Sequence, residues 1–98
     1  MTTRGISEKQ LKIIKNILQL YWKDYDFFMY GSRVNGNFSP NSDLDILVKG
    51  DIKISLDIAE KIQKEFDESD LPFIVHLMDF YDMDTSFYTS LKNNLVKI

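Results

Sequence analysis

Two aspartates alternate along an apolar run, Ser42-Asp43-Leu44-Asp45-Ile46-Leu47-Val48, and the pair Gly31-Ser32 closes an earlier apolar run, Phe27-Phe28-Met29-Tyr30. On a strand, side chains alternate faces, so Asp43, Asp45 and Leu47 point one way while Leu44, Ile46 and Val48 point into a core. Two carboxylates then share one face at adjacent same-side positions. Like charges this close repel and push one pKa up unless a cation sits between them. Hard carboxylate oxygens suit Mg2+, which is held by one or two carboxylates together with substrate phosphates.

A phosphate cradle lies upstream. The run 27–30 is short, aromatic and turn-bounded, which predicts a buried strand ending at Gly31. A residue without Cβ lets phosphate oxygens approach the main chain, and the Ser32 hydroxyl and N–H can bond them. The spacing predicts one short helical turn capped by Ser32, adding a positive dipole end, with Gly36 ending it in a left-handed conformation. Residues 37–42 read as an exposed loop. Arg33 suits two jobs, touching phosphates or bracing the loop by pairing with an acid. Singly, Gly-Ser is a turn and Asp-x-Asp a solvated face. Their combination at this spacing, each beside an apolar strand, favours a magnesium-nucleotide site.

Gly31-Ser32-Arg33, Gly36 and Ser42-Asp43-Leu44-Asp45 together resemble the nucleotidyltransferase superfamily that shares the palm-like core of DNA polymerase beta, in the form found in its minimal nucleotidyltransferases. The resemblance implies nucleotide-binding roles for Gly31, Ser32, Arg33 and Ser42, with Asp43 and Asp45 as metal-holding, catalytic acids. It also implies Mg2+ (or Mn2+) as cofactor, a nucleoside triphosphate such as ATP as substrate, and a small helical HEPN-type protein as partner, often a toxin. Some relatives of this kind transfer AMP to a tyrosine of that toxin.

The superfamily supplies a third carboxylate from the next strand, in a pattern like Val-Asp-Leu; here the residues are Val75-His76-Leu77. His76 therefore stands at a catalytic position. A neutral imidazole, with an unperturbed pKa of about 6.5, can act as general base, yet it is a poor ligand for Mg2+. Asp79 lies three residues on, across the strand from His76, and only a bulge would bring it back. Two readings follow: an adenylyl-type transferase, or a catalytically impaired nucleotide-binding regulator that acts by binding its partner. Transfer to an aminoglycoside-like molecule ranks last, because no second domain is there to hold the drug.

The elements that must position these groups are legible from periodicity. Ser7 and Gln10 form a capping box for a helix carrying Leu11, Ile14, Leu18 and Tyr21 on one stripe. A second helix starts at Ser55 and buries Ile58, Ala59, Ile62 and Phe66, with Lys61, Lys64 and Glu65 facing out. A third strand is predicted over 73–78, and Asp84 as N-cap of a short helix with Phe87 and Leu91. The tail Leu95-Val96-Lys97-Ile98 is apolar enough to dock or to meet a partner. The expected fold is α/β (α+β): a small mixed sheet with helices largely on one face.

Composition narrows the class. With 98 residues the expectation is one domain over 1–98, too small to carry both a palm and a nucleotide clamp. A net charge of -3 argues against holding nucleic acid by electrostatics. There are no cysteines, so thiolate metal sites and disulfides are out. No apolar run reaches bilayer length and no secretory pattern opens the chain, so a cytoplasmic location is expected.

Overall fold

The computed structural model describes residues 5–36, 38–39 and 41–98; Asn37 and Pro40 of the expected loop lie outside it. Ser7 opens α1 (Glu8–Gln19). Its hydroxyl accepts the Gln10 N–H at 3.1 Å while the Gln10 carboxamide accepts the Ser7 N–H at 2.9 Å, the reciprocal box that satisfies two orphan donors. The helix buries Ile14, Ile17 and Leu18. Tyr21 does not continue the stripe and is 44% exposed, because the helix ends at Gln19 and helical spacing no longer applies; Trp22 turns inward instead, at 3%.

The chain continues as β1 (Asp26–Tyr30), the single turn α2 (Ser32–Asn35), β2 (Leu44–Lys49), α3 (Leu56–Asp67) and β3 (Val75–Asp79). A 3-10 turn (Phe80–Asp82), α4 (Thr85–Leu91) and β4 (Val96–Lys97) follow. The strand order is β3-β2-β1-β4. β1 runs antiparallel to β2 and to β4, whereas β2 and β3 are parallel, so the sheet is mixed as expected. A parallel pair needs a crossover, and α3 is that crossover. The Ser55 hydroxyl caps it, accepting the Ile58 N–H at 3.4 Å. Asp84 is the N-cap of α4, though its carboxylate accepts from the Ser86 hydroxyl rather than from the helix backbone.

One sheet face carries Phe27, Met29, Leu44, Ile46, Val48 and Val75, packed with Ile14, Leu18, Ile62 and Phe66 of α1 and α3. Complete burial of such side chains contributes roughly 1.5–3 kcal/mol each. The opposite face presents Tyr30, Asp45 and His76 in one cross-strand row and Phe28, Leu47 and Met78 in the next. Leu47 shares the acids' face as expected, yet it is fully buried. On this side the Phe87 ring of α4 stands edge-on to Tyr30 at 6.2 Å, and the Lys49 ammonium lies 4.7 Å from the Phe80 ring centre and 5.3 Å from that of Tyr88.

Two boundaries differ from expectation. β3 begins at Val75, not Phe73: Phe73 is buried off the strand, while the Ile74 carbonyl accepts the Leu44 N–H at 2.8 Å. The tail docks as a fourth strand, with the Ile98 N–H donating to the Phe27 carbonyl at 2.9 Å; two residues are too few to show a period in sequence. No helix among the described residues is long and apolar enough to cross a membrane.

Candidate active site

β1 delivers the chain to Gly31, whose backbone sits at φ 84, ψ -155, a region open in practice only to glycine. A Cβ there would lie 2.5 Å from Asp45 Oδ2. The glycine thus clears room for the protein's own carboxylate at the mouth of the loop. Gly31 is also the N-cap of α2, so Ser32 is the helix's first residue and not its cap, a correction to the sequence reading. The Val34 and Asn35 N–H groups donate to the Gly31 carbonyl at 3.1 and 3.0 Å. Gly36 ends the turn at φ 85, ψ -1, its N–H on the Ser32 carbonyl, the left-handed stop that was expected.

Arg33 braces this loop. It is 3% exposed; its Nε donates to the Ser42 carbonyl at 3.0 Å and its Nη1 to the Gly5 carbonyl. The guanidinium lies 4.1 Å from the Phe73 ring centre and 5.1 Å from that of Phe38, and burial lowers its pKa from the ordinary value. The bracing therefore runs through carbonyl oxygens and aromatic faces. Ser42 contributes that carbonyl, and its hydroxyl accepts the Ser39 N–H at 2.9 Å, closing a small turn ahead of Asp43.

The acids follow at once. Asp45 lies between Tyr30 on β1 and His76 on β3. Burial raises its pKa, His76 opposes that, and Asp43 adds to it by repulsion. Burial, and then Asp45, raise the pKa of the Tyr30 hydroxyl. Asp43 sits one step before the strand, half exposed, with Oδ2 at 2.8 Å from His76 Nε2. His76 thus occupies the cleft and engages an acid directly. Such an exposed pair contributes at most about 1 kcal/mol to stability, so it organises the site more than it holds the fold.

Asp79 does not join them. It pairs regularly with Val48, on the core face, where Oδ2 accepts the Ile54 N–H at 2.8 Å and Oδ1 the Tyr81 N–H at 3.0 Å. Without a bulge, strand alternation keeps it from the cleft. Among the described residues no group of three or more His, Cys, Asp or Glu could hold a metal by itself. The oxygen donors are Asp43 and Asp45. A half-buried acid whose ionisation is disfavoured by burial and by a like charge suits a hard divalent cation whose remaining positions come from substrate oxygens.

The sequence reading passed over Tyr30 as a site residue. Its place beside Asp45 depends on the antiparallel register Tyr30↔Asp45, and its position immediately before the glycine was the only local signal.

The model of the family described as "Nucleotidyltransferase domain" matches residues 11–98. A Haemophilus influenzae protein named "Probable protein adenylyltransferase MntA" is 32% identical over 93 residues, 95% of this chain and 82% of that protein. Among solved structures, one described as the "toxin-antitoxin with AMP-PNP" superposes with a TM-score of 0.72 at 20% identity, covering 88% of this chain and 69% of that one. Another, "the toxin-antitoxin MntA-HepT", gives 0.58 at 19% identity over 90% and 69%. At these identities the structural likeness is one of fold.

Proposed function

The chain belongs to the nucleotidyltransferase domain family, and on that premise we propose that it transfers AMP from ATP to a hydroxyl of a partner protein. The observation that carries this reading is the row Tyr30, Asp45, His76, with Asp43 beside it and the Gly31 backbone pressed against the Asp45 carboxylate. Phosphate-cradling backbone and paired acids meet at that one place. The nucleotide lies with its β and γ phosphates over Gly31 and Ser32 and its α phosphate toward the acids. Mg2+ or Mn2+ bound by Asp43 and Asp45 would supply charge neutralisation and Lewis acidity at the phosphates.

The chain's own groups do the rest. In the transfer an acceptor oxygen forms a bond to the α-phosphorus, the bond to the bridging oxygen breaks, and pyrophosphate leaves with that electron pair. The hydroxyl proton passes to Nδ1 of His76, the ring nitrogen left free when Nε2–H donates to the Asp43 carboxylate at 2.8 Å; that bond orients the ring and, once it is charged, stabilises it. The acceptor belongs to a helical HEPN-type toxin in this reading. Support comes from the protein-modifying name of the curated relative and from the toxin-antitoxin structures that share the fold.

One observation favours a second reading, a nucleotide-binding regulator with little turnover. His76 already engages Asp43 and so competes for one of the two metal-holding carboxylates. Calorimetry with Mg-ATP on the double variant Asp43→Asn, Asp45→Asn tests the shared core of both readings: metal-dependent binding should vanish, and unchanged affinity would sink the site. Label transfer from α-labelled ATP to the co-expressed partner then separates the two.

A further inference from the structure

We propose that the open hollow between the C-terminal end of α3 and the start of β3 is the subsite for the acceptor polypeptide, and that it selects a cationic side chain near the reacting hydroxyl. This rests on the transfer reading above. The hollow measures about 460 Å3, and Asp43, Asp67, Leu71, Pro72 and Ile74 are among its lining residues. That volume falls in the range of ligand sites, roughly 300–1,000 Å3.

Its position follows from the sheet order and the demands of displacement. Attacking and leaving oxygens lie roughly in line, on opposite sides of the α-phosphorus. With the leaving phosphates on Gly31 and Ser32, next to β1, the acceptor oxygen must come over β3, on the far side of β2. The hollow lies at the start of β3 toward α3, with Phe66 and Val75 of the core side in its wall, and Asp43, which belongs both to that wall and to the acid pair, joins it to the acids' face. An acceptor chain seated in it reaches past Asp43 to bring its hydroxyl beside the phosphate and close to His76, which bonds Asp43.

Charge and apolarity identify the occupant. Among the described lining residues the charged groups are Asp43 and Asp67, and no lysine or arginine is present. Asp67 is exposed at the end of α3, bonded to Gln63 Nε2 at 3.2 Å, and the exposed acids Glu68 and Asp70 follow it in the chain. Ile74 is 57% exposed although it directly precedes a buried strand residue. An acid beside an exposed aliphatic chain matches a segment that offers a cation next to an apolar side chain.

The test uses the full chain with a non-hydrolysable ATP analogue and two short fluorescent peptides. Each carries one tyrosine, flanked by lysine and leucine in one and by glutamate and leucine in the other. Anisotropy should show the lysine peptide binding about fivefold more tightly. Asp67→Lys should invert the preference and Ile74→Ser should weaken both peptides, while affinity for the ATP analogue stays within about twofold. Asp67→Lys places a cation at a helix C-terminus, so the variant is expected to fold. An unaltered preference in Asp67→Lys, or failure of the natural protein to bind either peptide, overturns the proposal. Loss of nucleotide affinity in both variants assigns the hollow to the nucleotide and overturns it equally. If the natural protein shows no metal-dependent nucleotide binding, it is the transfer reading that fails, and calorimetry without peptide reveals this separately.

Discussion

Gly31 and Gly36 flank the same helical turn with nearly equal φ, 84 and 85, yet an added methyl group should affect them differently. At Gly36 a Cβ would meet nothing within 4 Å. Gly36→Ala should therefore cost only the left-handed strain, about 1–2 kcal/mol. At Gly31 the backbone lies in a glycine-only region, a strain of about 1–3 kcal/mol, and the Cβ would also sit 2.5 Å from Asp45 Oδ2. The carboxylate is the end of a side chain, so it yields by rotating out of the row before the backbone does. Stability losses should then overlap, since each kcal/mol shifts Tm by roughly 4–8 °C in a domain of this size. Ligand binding should diverge. Gly31→Ala should weaken Mg-ATP at least tenfold, about 1.4 kcal/mol, with Gly36→Ala within about twofold. Thermal melts and calorimetry on the two variants decide the matter. Equal losses of affinity, or Gly31→Ala binding normally, would refute the claim that this glycine makes room for the Asp45 carboxylate.

Arg33→Ala should destabilise by about 3 kcal/mol in denaturant titration, from lost charged hydrogen bonds and ring contacts; a loss below about 1 kcal/mol would show the brace to be dispensable. Asp45 has a raised pKa, so the fold favours its protonated form, a stabilisation complete below the unfolded value of about 3.9 and lost as pH rises through the higher folded value. Asp45→Asn should thus melt higher than the natural protein at neutral pH without metal, the gap closing as pH falls toward 4, while Mg-ATP no longer stabilises it; a lower melting point at neutral pH would contradict the burial argument. His76→Ala should slow transfer by about 10²–10⁴ with nucleotide affinity unchanged, and equal rates for His76→Ala, His76→Asp and the natural protein would make the imidazole a bystander.

Much of the site was legible in the chain because its signals are local. A capping box needs only residues three apart, so Ser7 and Gln10 could be read directly. The left-handed stop at Gly36 needs only a glycine after a turn, and the shared face of Asp43 and Asp45 follows from strand alternation. Alternation also kept Asp79 away from His76, as the sheet bears out. The family resemblance rested on the same short stretches, which the match over residues 11–98 supports.

What only tertiary structure decided depends on residues far apart in sequence. That Arg33 is spent on the Ser42 and Gly5 carbonyls and two rings follows from where the first residues of the fold come to rest, which no periodicity encodes. The pairing of His76 with Asp43, 33 residues earlier, and the place of Tyr30 beside Asp45 are products of strand register. Register is set by the whole buried face at once, through the packing of α1 and α3 on one side and α4 on the other. Sequence thus specified which side chains could perform the chemistry, and long-range packing selected their partners, because a hydrogen bond between distant residues forms only after the chain entropy of closing the loop between them has been overcome.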